Sequence, residues 1–119
     1  QAAAEALEKA GMRPRVMVDA SHANSSKDYT RQPLVIEDVC TQIEAGDTRL
    51  FGVMVESHLV GGRQDLVPGK PLVYGQSITD GCVDWDTTAA VLDRLAAAVR
   101  ARRQATRADE TERRSVPAD

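Results

Sequence analysis

The chain has 119 residues, of which 42% are hydrophobic and 28% charged, and its formal net charge is −3. This is the composition of one modest globular domain, without the basic excess of a nucleic-acid-binding protein and without the ~18-residue apolar run of a membrane span. The two cysteines, Cys40 and Cys82, form neither a disulfide framework nor a zinc signature, so a reducing, cytoplasmic setting is the default interpretation.

The first half of the chain alternates helical and strand patterns. Residues 2–10 are rich in Ala, Leu, Glu and Lys, which predicts a helix. Residues 15–20 are short and mostly apolar, a pattern typical of a strand that is covered on both faces. Residues 32–46 predict a second helix, because Pro33 suits its first turn and apolar residues recur at steps of three and four. This predicted apolar stripe comprises Ile36, Val39, Cys40 and Ile43.

The second half continues with a strand, a long connection and a helix. Residues 50–55 predict a second buried strand. Residues 59–84 are polar and glycine-rich, and connections of this length are usually functional or disordered, although residues 71–80 within them look ordered. Asp86 is a plausible N-cap for a helix over residues 87–103. The predicted buried side of this helix comprises Val91, Leu92, Leu95 and Val99.

The order of elements indicates an α/β fold of which the chain is one part. Alternation of helices and strands is typical of a parallel α/β arrangement, but two strands are too few for a stable parallel sheet. The chain also opens at Gln1 within a helical pattern, which suggests the closing part of something larger, such as a (β/α)8 barrel of ~250 residues. We therefore predict a barrel portion over residues 1–103, followed by a charged, disordered tail over residues 104–119.

Three side chains that could bind a metal stand at comparable places. His22 lies just past the first predicted strand, Glu56 ends the second, and Asp80 precedes the last helix. Because loops at the carboxyl ends of parallel strands converge, these residues could meet there. An imidazole and two carboxylates suit a divalent cation. Each residue also has a simpler interpretation: a surface histidine, a solvated strand-end glutamate, and an aspartate that caps a turn.

Four neighbouring residues leave similar alternatives open. Asp19 could be a buried residue that hydrogen-bonds a neighbouring loop, and His58 could support a metal ligand or be merely exposed. Cys82 could lie near the site because it follows Asp80 closely. Trp85 is interpreted as a packing anchor for the last helix. From spacing alone, a metal-dependent enzyme remains one hypothesis among several.

Three longer stretches resemble a single family: DASHANSSK (residues 19–27), GVMVESHLVGGRQ (residues 52–64) and YGQSITDGCVDWDTT (residues 74–88). In this order they are similar to the C-terminal part of the type I 3-deoxy-D-arabino-heptulosonate 7-phosphate (DAHP) synthases of the shikimate pathway. The resemblance runs from about residue 14 to residue 103. It implies that the chain is the C-terminal part of a (β/α)8 TIM barrel, with about the last two βα units and a preceding helix.

The resemblance also implies a reaction and a metal. DAHP synthases condense phosphoenolpyruvate with erythrose 4-phosphate and release phosphate, with the help of a divalent ion such as Mn, Fe, Co or Zn. Such an ion can polarise the aldehyde oxygen, or it can position or activate the water that adds at carbon 2, and the sequence does not choose between these roles. The family holds this ion with a Cys, a His, a Glu and an Asp, and the last three match His22, Glu56 and Asp80. His22 is then also a candidate catalytic residue for proton transfer. A full-length relative would be a cytoplasmic homo-oligomer that needs neither nucleic acid nor membrane.

The family pattern is incomplete in this sequence. Its cysteine ligand and most of its phosphate-binding Arg and Lys residues lie upstream, and neither Cys40 nor Cys82 matches the cysteine motif. Lys27, Arg31 and Arg63 are the nearby candidates for substrate binding, although each could be a solvated loop charge. We therefore expect that the 119-residue chain alone neither closes a barrel nor catalyses the reaction.

A second hypothesis treats the chain as a non-catalytic fragment that binds or regulates a full-length synthase. The DNA upstream of Gln1 distinguishes the two hypotheses. An in-frame continuation into the missing motifs supports the enzyme, whereas a genuine start codon near Gln1 supports the binding partner. An unrelated metal-dependent aldolase-like barrel is disfavoured by the length of the matching motifs.

Overall fold

The computed structural model describes residues 1–115 of the chain. Its helices and strands follow one another as α1 (Ala2–Lys9), β1 (Val16–Asp19), α2 (Gln32–Glu44), β2 (Leu50–Met54), β3 (Val60–Arg63), β4 (Gln76–Ser77) and α3 (Trp85–Ser115). Two short 3-10 turns, Ala23–Ser25 and Tyr29–Arg31, lie between β1 and α2.

β1 and β2 form a parallel pair joined through α2, and this confirms the α/β class that the sequence predicts. The register places Val18 opposite Val53 and Asp19 opposite Met54, after an irregularity near Val16. Because the two strands are parallel, the loops that follow them leave from the same edge of the sheet. These two loops carry His22 and Glu56.

The core lies between this strand pair and the helices α2 and α3. The predicted stripe of α2 is confirmed, since Ile36, Val39, Cys40 and Ile43 are all buried. On α3 the buried residues are Val91 and Ala98, with Leu95 and Val99 packed against the cluster. The prediction that Leu92 is buried is wrong, since it is 56% exposed. The buried stripe of α3 runs from Val91 through Leu95 to Ala98, in steps of four and three residues, and Leu92 lies beside it.

Asp84 caps the start of α3, not Asp86 as predicted. The Asp84 carboxylate accepts a hydrogen bond of 2.8 Å from the backbone N–H of Thr87, which is the third residue of the helix. Hydrogen bonding by the side chain and then the backbone of Thr87 lowers the pKa of Asp84, because it stabilises the charged carboxylate. Trp85, expected to anchor the helix by packing, is 57% exposed.

The helix α3 continues to Ser115, so the prediction of disorder is wrong for residues 104–115. This stretch is polar, but it is rich in Ala, Arg, Glu and Gln, which favour helix, and it contains neither Gly nor Pro. Low hydrophobicity therefore does not end the helix here. Residues 116–119, also predicted as disordered, lie outside the described residues.

The predicted strands are not covered on both faces within residues 1–115, since Met17 and Phe51 are more than half exposed. The long segment after β2 is ordered: β3 and β4 pair in parallel, and isolated bridges join Ser57 to Val83 and Gly62 to Cys82. These bridges bring residues 80–83 beside the carboxyl end of β2. No helix in the described part of the chain combines the length and apolar character needed to cross a bilayer.

Candidate metal centre

Three side chains from three separate segments converge at the carboxyl edge of β1 and β2. His22 Nε2 lies 3.7 Å from Glu56 Oε1 and 3.6 Å from Asp80 Oδ2. One ligand atom from each residue lies within 4.8 Å of the other two. Bonds of about 2.1 Å to a tetrahedral ion separate its ligand atoms by about 3.4 Å. The spacing and the chemistry of these donors therefore fit one divalent cation.

His22 is oriented by Asp19, the last residue of β1. Asp19 Oδ2 lies 2.8 Å from His22 Nδ1, and Asp19 Oδ1 accepts hydrogen bonds from the backbone N–H groups of Ser21 and His22. Asp19 thus hydrogen-bonds its own loop and not a neighbouring one, and its side chain is about half exposed, not buried. The hydrogen bond to Asp19 raises the pKa of His22, and the same bond lowers the pKa of Asp19. With Nδ1 engaged, Nε2 is the nitrogen that faces the carboxylates.

The small polar residues after His22 fold the loop back on itself. The Ser25 hydroxyl is fully buried and donates a hydrogen bond to the carbonyl oxygen of Ser21. Ser26 and Lys27 have φ angles of +56° and +59°, in the left-handed region that residues other than glycine seldom adopt. The side-chain bond of Ser25 and the backbone bond from the N–H of Lys27 to the carbonyl oxygen of His22 keep the loop compact around these two residues.

Glu56 is held at both its backbone and its carboxylate. Its N–H donates a hydrogen bond of 2.9 Å to Gln32 Oε1, and its carbonyl oxygen accepts one of 3.2 Å from Gln32 Nε2. The Ser21 hydroxyl donates to Glu56 Oε2. This leaves Oε1 directed toward His22. Sequence reasoning missed Gln32 and Ser21, because the residues they contact are 24 and 35 positions away and a polar residue beside Pro33 suggests an exposed first turn.

Asp80 lies in a turn that packs against Tyr29. A Cβ atom added at Gly81 would come within 2.7 Å of Tyr29 Cδ1, so the ring lies directly on the backbone beside Asp80. Cys82 is buried, and its thiol donates to the carbonyl oxygen of Asp80 at 3.6 Å. Burial raises the pKa of Cys82, which keeps it a neutral thiol. Cys82 is therefore near the site, but the converging ligand atoms of residues 1–115 come from His22, Glu56 and Asp80.

Two of the three cationic candidates line the same cleft as these ligands. Lys27 and Arg63 face a cavity of about 190 Å³ together with the three converging residues, whereas Arg31 is not among its lining residues. Arg63 is fixed by hydrogen bonds of 2.7 Å to the carbonyl oxygen of Thr79 and to Asp65. His58 accepts a hydrogen bond from the N–H of Leu59 through Nδ1 and is not part of the ligand group.

The fold and the site define an α/β protein with a candidate metal centre at the carboxyl edge of its parallel strands. The sequence profile described as the DAHP synthetase I family matches residues 1–93. The chain belongs to this family, and the resemblance of the three motifs is confirmed.

Individual relatives agree with the family assignment. The chain is 60% identical over 100 residues to a phospho-2-dehydro-3-deoxyheptonate aldolase of Haemophilus influenzae, covering 84% of this chain and 28% of the relative. It is 57% identical over 99 residues to the Phe-sensitive aldolase of Escherichia coli, covering 83% and 28%. The structure of the Francisella tularensis aldolase matches with a TM-score of 0.76 and 50% identity, over 81% of this chain and 28% of that one. The chain thus spans somewhat more than a quarter of these relatives.

Proposed function

We propose that this chain supplies the metal-binding edge of a DAHP synthase, which condenses phosphoenolpyruvate with erythrose 4-phosphate to DAHP and phosphate at the first step of the shikimate pathway. The convergence of His22, Glu56 and Asp80 in a member of this family carries the proposal. The rest of the catalytic machinery would come from residues outside the chain, which spans 28% of its relatives.

The proposed context of the chain is the C-terminal part of a (β/α)8 barrel. Parallel pairing of β1 and β2 through α2 is the local arrangement of such a barrel. One edge of β1 pairs with no strand within residues 1–115, and Met17 and Phe51 are exposed. The remaining barrel strands and their side chains would then cover this edge and these two residues. Residues 1–103 would belong to this domain.

The proposed metal is divalent, with Mn, Fe, Co and Zn as the candidates. Imidazole and carboxylate donors suit all four, and the spacing of the three ligand atoms would let His22, Glu56 and Asp80 hold one ion together. When bound, such an ion supplies Lewis acidity to a carbonyl oxygen.

His22 is the proposed catalytic residue among the three. Asp19 engages Nδ1, so His22 can hold or transfer a proton only through Nε2. Binding a metal and moving a proton therefore exclude one another at that atom. The contact to Asp19 would also keep the ring in one orientation whichever role Nε2 serves.

Lys27 and Arg63 are the proposed contacts for the anionic groups of the substrates. Both substrates carry phosphate, and charge-assisted hydrogen bonds from guanidinium or ammonium groups are the usual way to bind it. Within residues 1–115 no carboxylate pairs with Lys27, and Arg63 is already oriented toward the cleft by Thr79 and Asp65. One lysine and one arginine are too few for two phosphates, so further cations must come from outside the chain.

A chimaeric enzyme tests the proposal. Residues 1–103 of this chain would replace the matching stretch of the Haemophilus influenzae relative, and phosphate release from phosphoenolpyruvate that depends on erythrose 4-phosphate would be measured. We expect activity in the chimaera and its loss in His22→Ala, Glu56→Gln and Asp80→Asn. His58→Ala is the matched control and should stay active, because His58 lies outside the ligand group. A folded, metal-loaded chimaera without this activity would refute the proposal.

The chain by itself gives a second comparison. We expect the purified 119-residue chain to show no turnover in the same assay, since Lys27 and Arg63 are its only cations in the cleft among the described residues. Turnover without any complementing fragment would contradict this expectation.

A further inference from the structure

Residues 29–32 link the loop that carries His22 to the two other segments that carry candidate ligands. This segment, which we call the 29–32 strut, follows the loop over residues 20–28 (the His22 loop) and ends at Gln32, the first residue of α2. We propose that the strut is a positioning element that sets the spacing of His22, Glu56 and Asp80 through two side chains, Gln32 and Tyr29. The inference rests on the proposed metal site, but neither side chain belongs to the converging ligand group.

Gln32 forms the contact to Glu56. Its amide makes both a donor and an acceptor hydrogen bond with the backbone of Glu56, at 3.2 Å and 2.9 Å. Gln32 is fully buried, so loss of either bond would leave a polar backbone group unpaired away from water. The first residue of α2 thereby holds the main chain just beyond β2 in one place.

Tyr29 forms the contact to the Asp80 turn. Its ring lies against Gly81, where an added Cβ would approach Cδ1 to 2.7 Å. Its hydroxyl lies over Gly62, whose added Cβ would be 3.3 Å from the oxygen. Gly62 and Cys82 exchange backbone hydrogen bonds of 2.8 Å and 3.1 Å. Tyr29 therefore packs on a paired stretch of backbone immediately beside Asp80.

The strut is itself fixed to the His22 loop. The N–H of Lys27 donates to the carbonyl oxygen of His22 at 2.8 Å, and the N–H of Asp28 donates to the carbonyl oxygen of Ser25 at 3.1 Å. The Asp28 carboxylate accepts hydrogen bonds from the N–H and the hydroxyl of Thr30, at 3.0 Å and 2.6 Å. Movement of the strut would therefore shift all three ligand segments relative to one another.

Manganese binding by the full 119-residue chain tests the strut, with the free Mn²⁺ signal followed by electron paramagnetic resonance. We expect Gln32→Met and Tyr29→Leu each to weaken binding by roughly 10-fold to 100-fold, as changes in groups that orient metal ligands do. Tyr29→Phe should retain the wild-type affinity, since the ring contact to Gly81 remains. Tyr29 is only half-buried, so we expect both Tyr29 variants to fold. The comparison of Tyr29→Leu with Tyr29→Phe therefore still tests the strut if Gln32→Met fails to fold.

Matched controls are available for both residues. Gln42 lies on the same helix as Gln32 but is exposed and bonds Asp38, and Tyr74 is 89% exposed. Gln42→Met and Tyr74→Leu should leave manganese affinity unchanged. Similar losses in the controls would overturn the proposal, because they would show that these substitutions weaken binding wherever they are made.

Double-mutant cycles separate positioning from general destabilisation. The effect of Gln32→Met on affinity should disappear in a Glu56→Gln background and persist in an Asp80→Asn background. Tyr29→Leu should show the reverse dependence. Equal effects in both backgrounds, or strut variants that bind manganese like the wild type, would overturn the positioning role of the strut. These outcomes would leave the proposed metal site standing. A wild-type chain that binds no manganese would overturn the metal site of the proposed function, and the role of the strut with it.

Discussion

Asp19 Oδ2 lies 2.8 Å from His22 Nδ1, and the other ring nitrogen of His22 faces Glu56 and Asp80. The carboxylate therefore decides which nitrogen is available to a metal. It also stabilises the imidazolium form, which raises the pKa of His22 above its ordinary 6.5. Asp19 thus orients the candidate ligand His22 and, by raising its pKa, also favours protonation of the nitrogen that a metal would use.

The first prediction concerns the pH dependence of metal binding. Metal binding requires unprotonated Nε2, so Mn²⁺ affinity should rise with pH and level off only above the raised pKa of His22. In Asp19→Asn the midpoint of this rise should shift to lower pH, because the stabilising carboxylate is gone. Binding measured from pH 5 to 9 checks this. Asp38→Asn, on the exposed side of α2, should leave the midpoint in place, and an unshifted midpoint in Asp19→Asn would contradict the assignment.

The second prediction concerns Ser21, whose hydroxyl holds one carboxylate oxygen of Glu56. Ser21→Ala should weaken Mn²⁺ binding by roughly 10-fold, since the carboxylate loses the contact that directs Oε1 toward His22. Ser57→Ala is the control, because Ser57 follows Glu56 but bonds Thr88 at 2.5 Å. Isothermal titration calorimetry compares the Mn²⁺ affinities of the two variants. Equal affinities in the two variants would exclude a specific role for Ser21.

The third prediction concerns Gly81, which leaves room for the ring of Tyr29. Gly81→Ala should displace Tyr29 or the Asp80 turn, because the new Cβ would approach Cδ1 to 2.7 Å, and Mn²⁺ affinity should fall. Gly61→Ala tests the same change nearby, where the closest atom is 3.7 Å away, and should bind normally. Normal affinity in Gly81→Ala would mean that the turn yields without moving Asp80.

The fourth prediction concerns Ser26, which has a left-handed backbone conformation in the His22 loop. Ser26→Gly should raise the free energy of unfolding by up to about 1 kcal/mol, because glycine adopts positive φ without a Cβ clash. Ser25→Gly, one residue earlier, should lower it by about 1 kcal/mol or more, since a buried hydrogen bond to Ser21 is lost. Urea unfolding measures both. Changes of the same sign in the two variants would refute the strain argument.

The fifth prediction concerns acid stability at Asp47, next to the start of β2. The Arg49 side chain and backbone hydrogen-bond its carboxylate and lower its pKa to about 2 from an ordinary 3.8. The charged form stabilises the fold, so its contribution is complete above pH 3.8 and is lost as the pH falls through about 2. Asp47→Asn should therefore lower the unfolding free energy at pH 7, and this deficit should shrink toward pH 2. A deficit that stays constant with pH would contradict this account.

Much of the fold follows from local sequence patterns. The stripe of Ile36, Val39, Cys40 and Ile43 depends only on helical periodicity, and the structure buries all four. The phase and the end of α3 did not follow from such patterns. Leu92 is apolar but lies one position off the buried side of α3, and that helix continues to Ser115 because its polar residues still favour helix.

The candidate ligands could be named from the sequence because each follows a strand or precedes a helix within a distinctive motif. Positions at strand ends are decided by local patterns, and parallel strands place their following loops at one edge. The same reasoning applies to His22, Glu56 and Asp80 alike, although only the structure shows that their ligand atoms approach within 4.8 Å of one another.

The sequence by itself determined the α/β class, the family and the residues most suited to bind a metal, since these depend on periodicity, local composition and contiguous motifs. Only the tertiary structure decided which groups hold those residues in place. The amide of Gln32, the hydroxyl of Ser21 and the ring of Tyr29 act on backbone and carboxylate groups 24 to 52 positions away. Such contacts arise when separate segments pack together, and no local pattern in the chain encodes their partners.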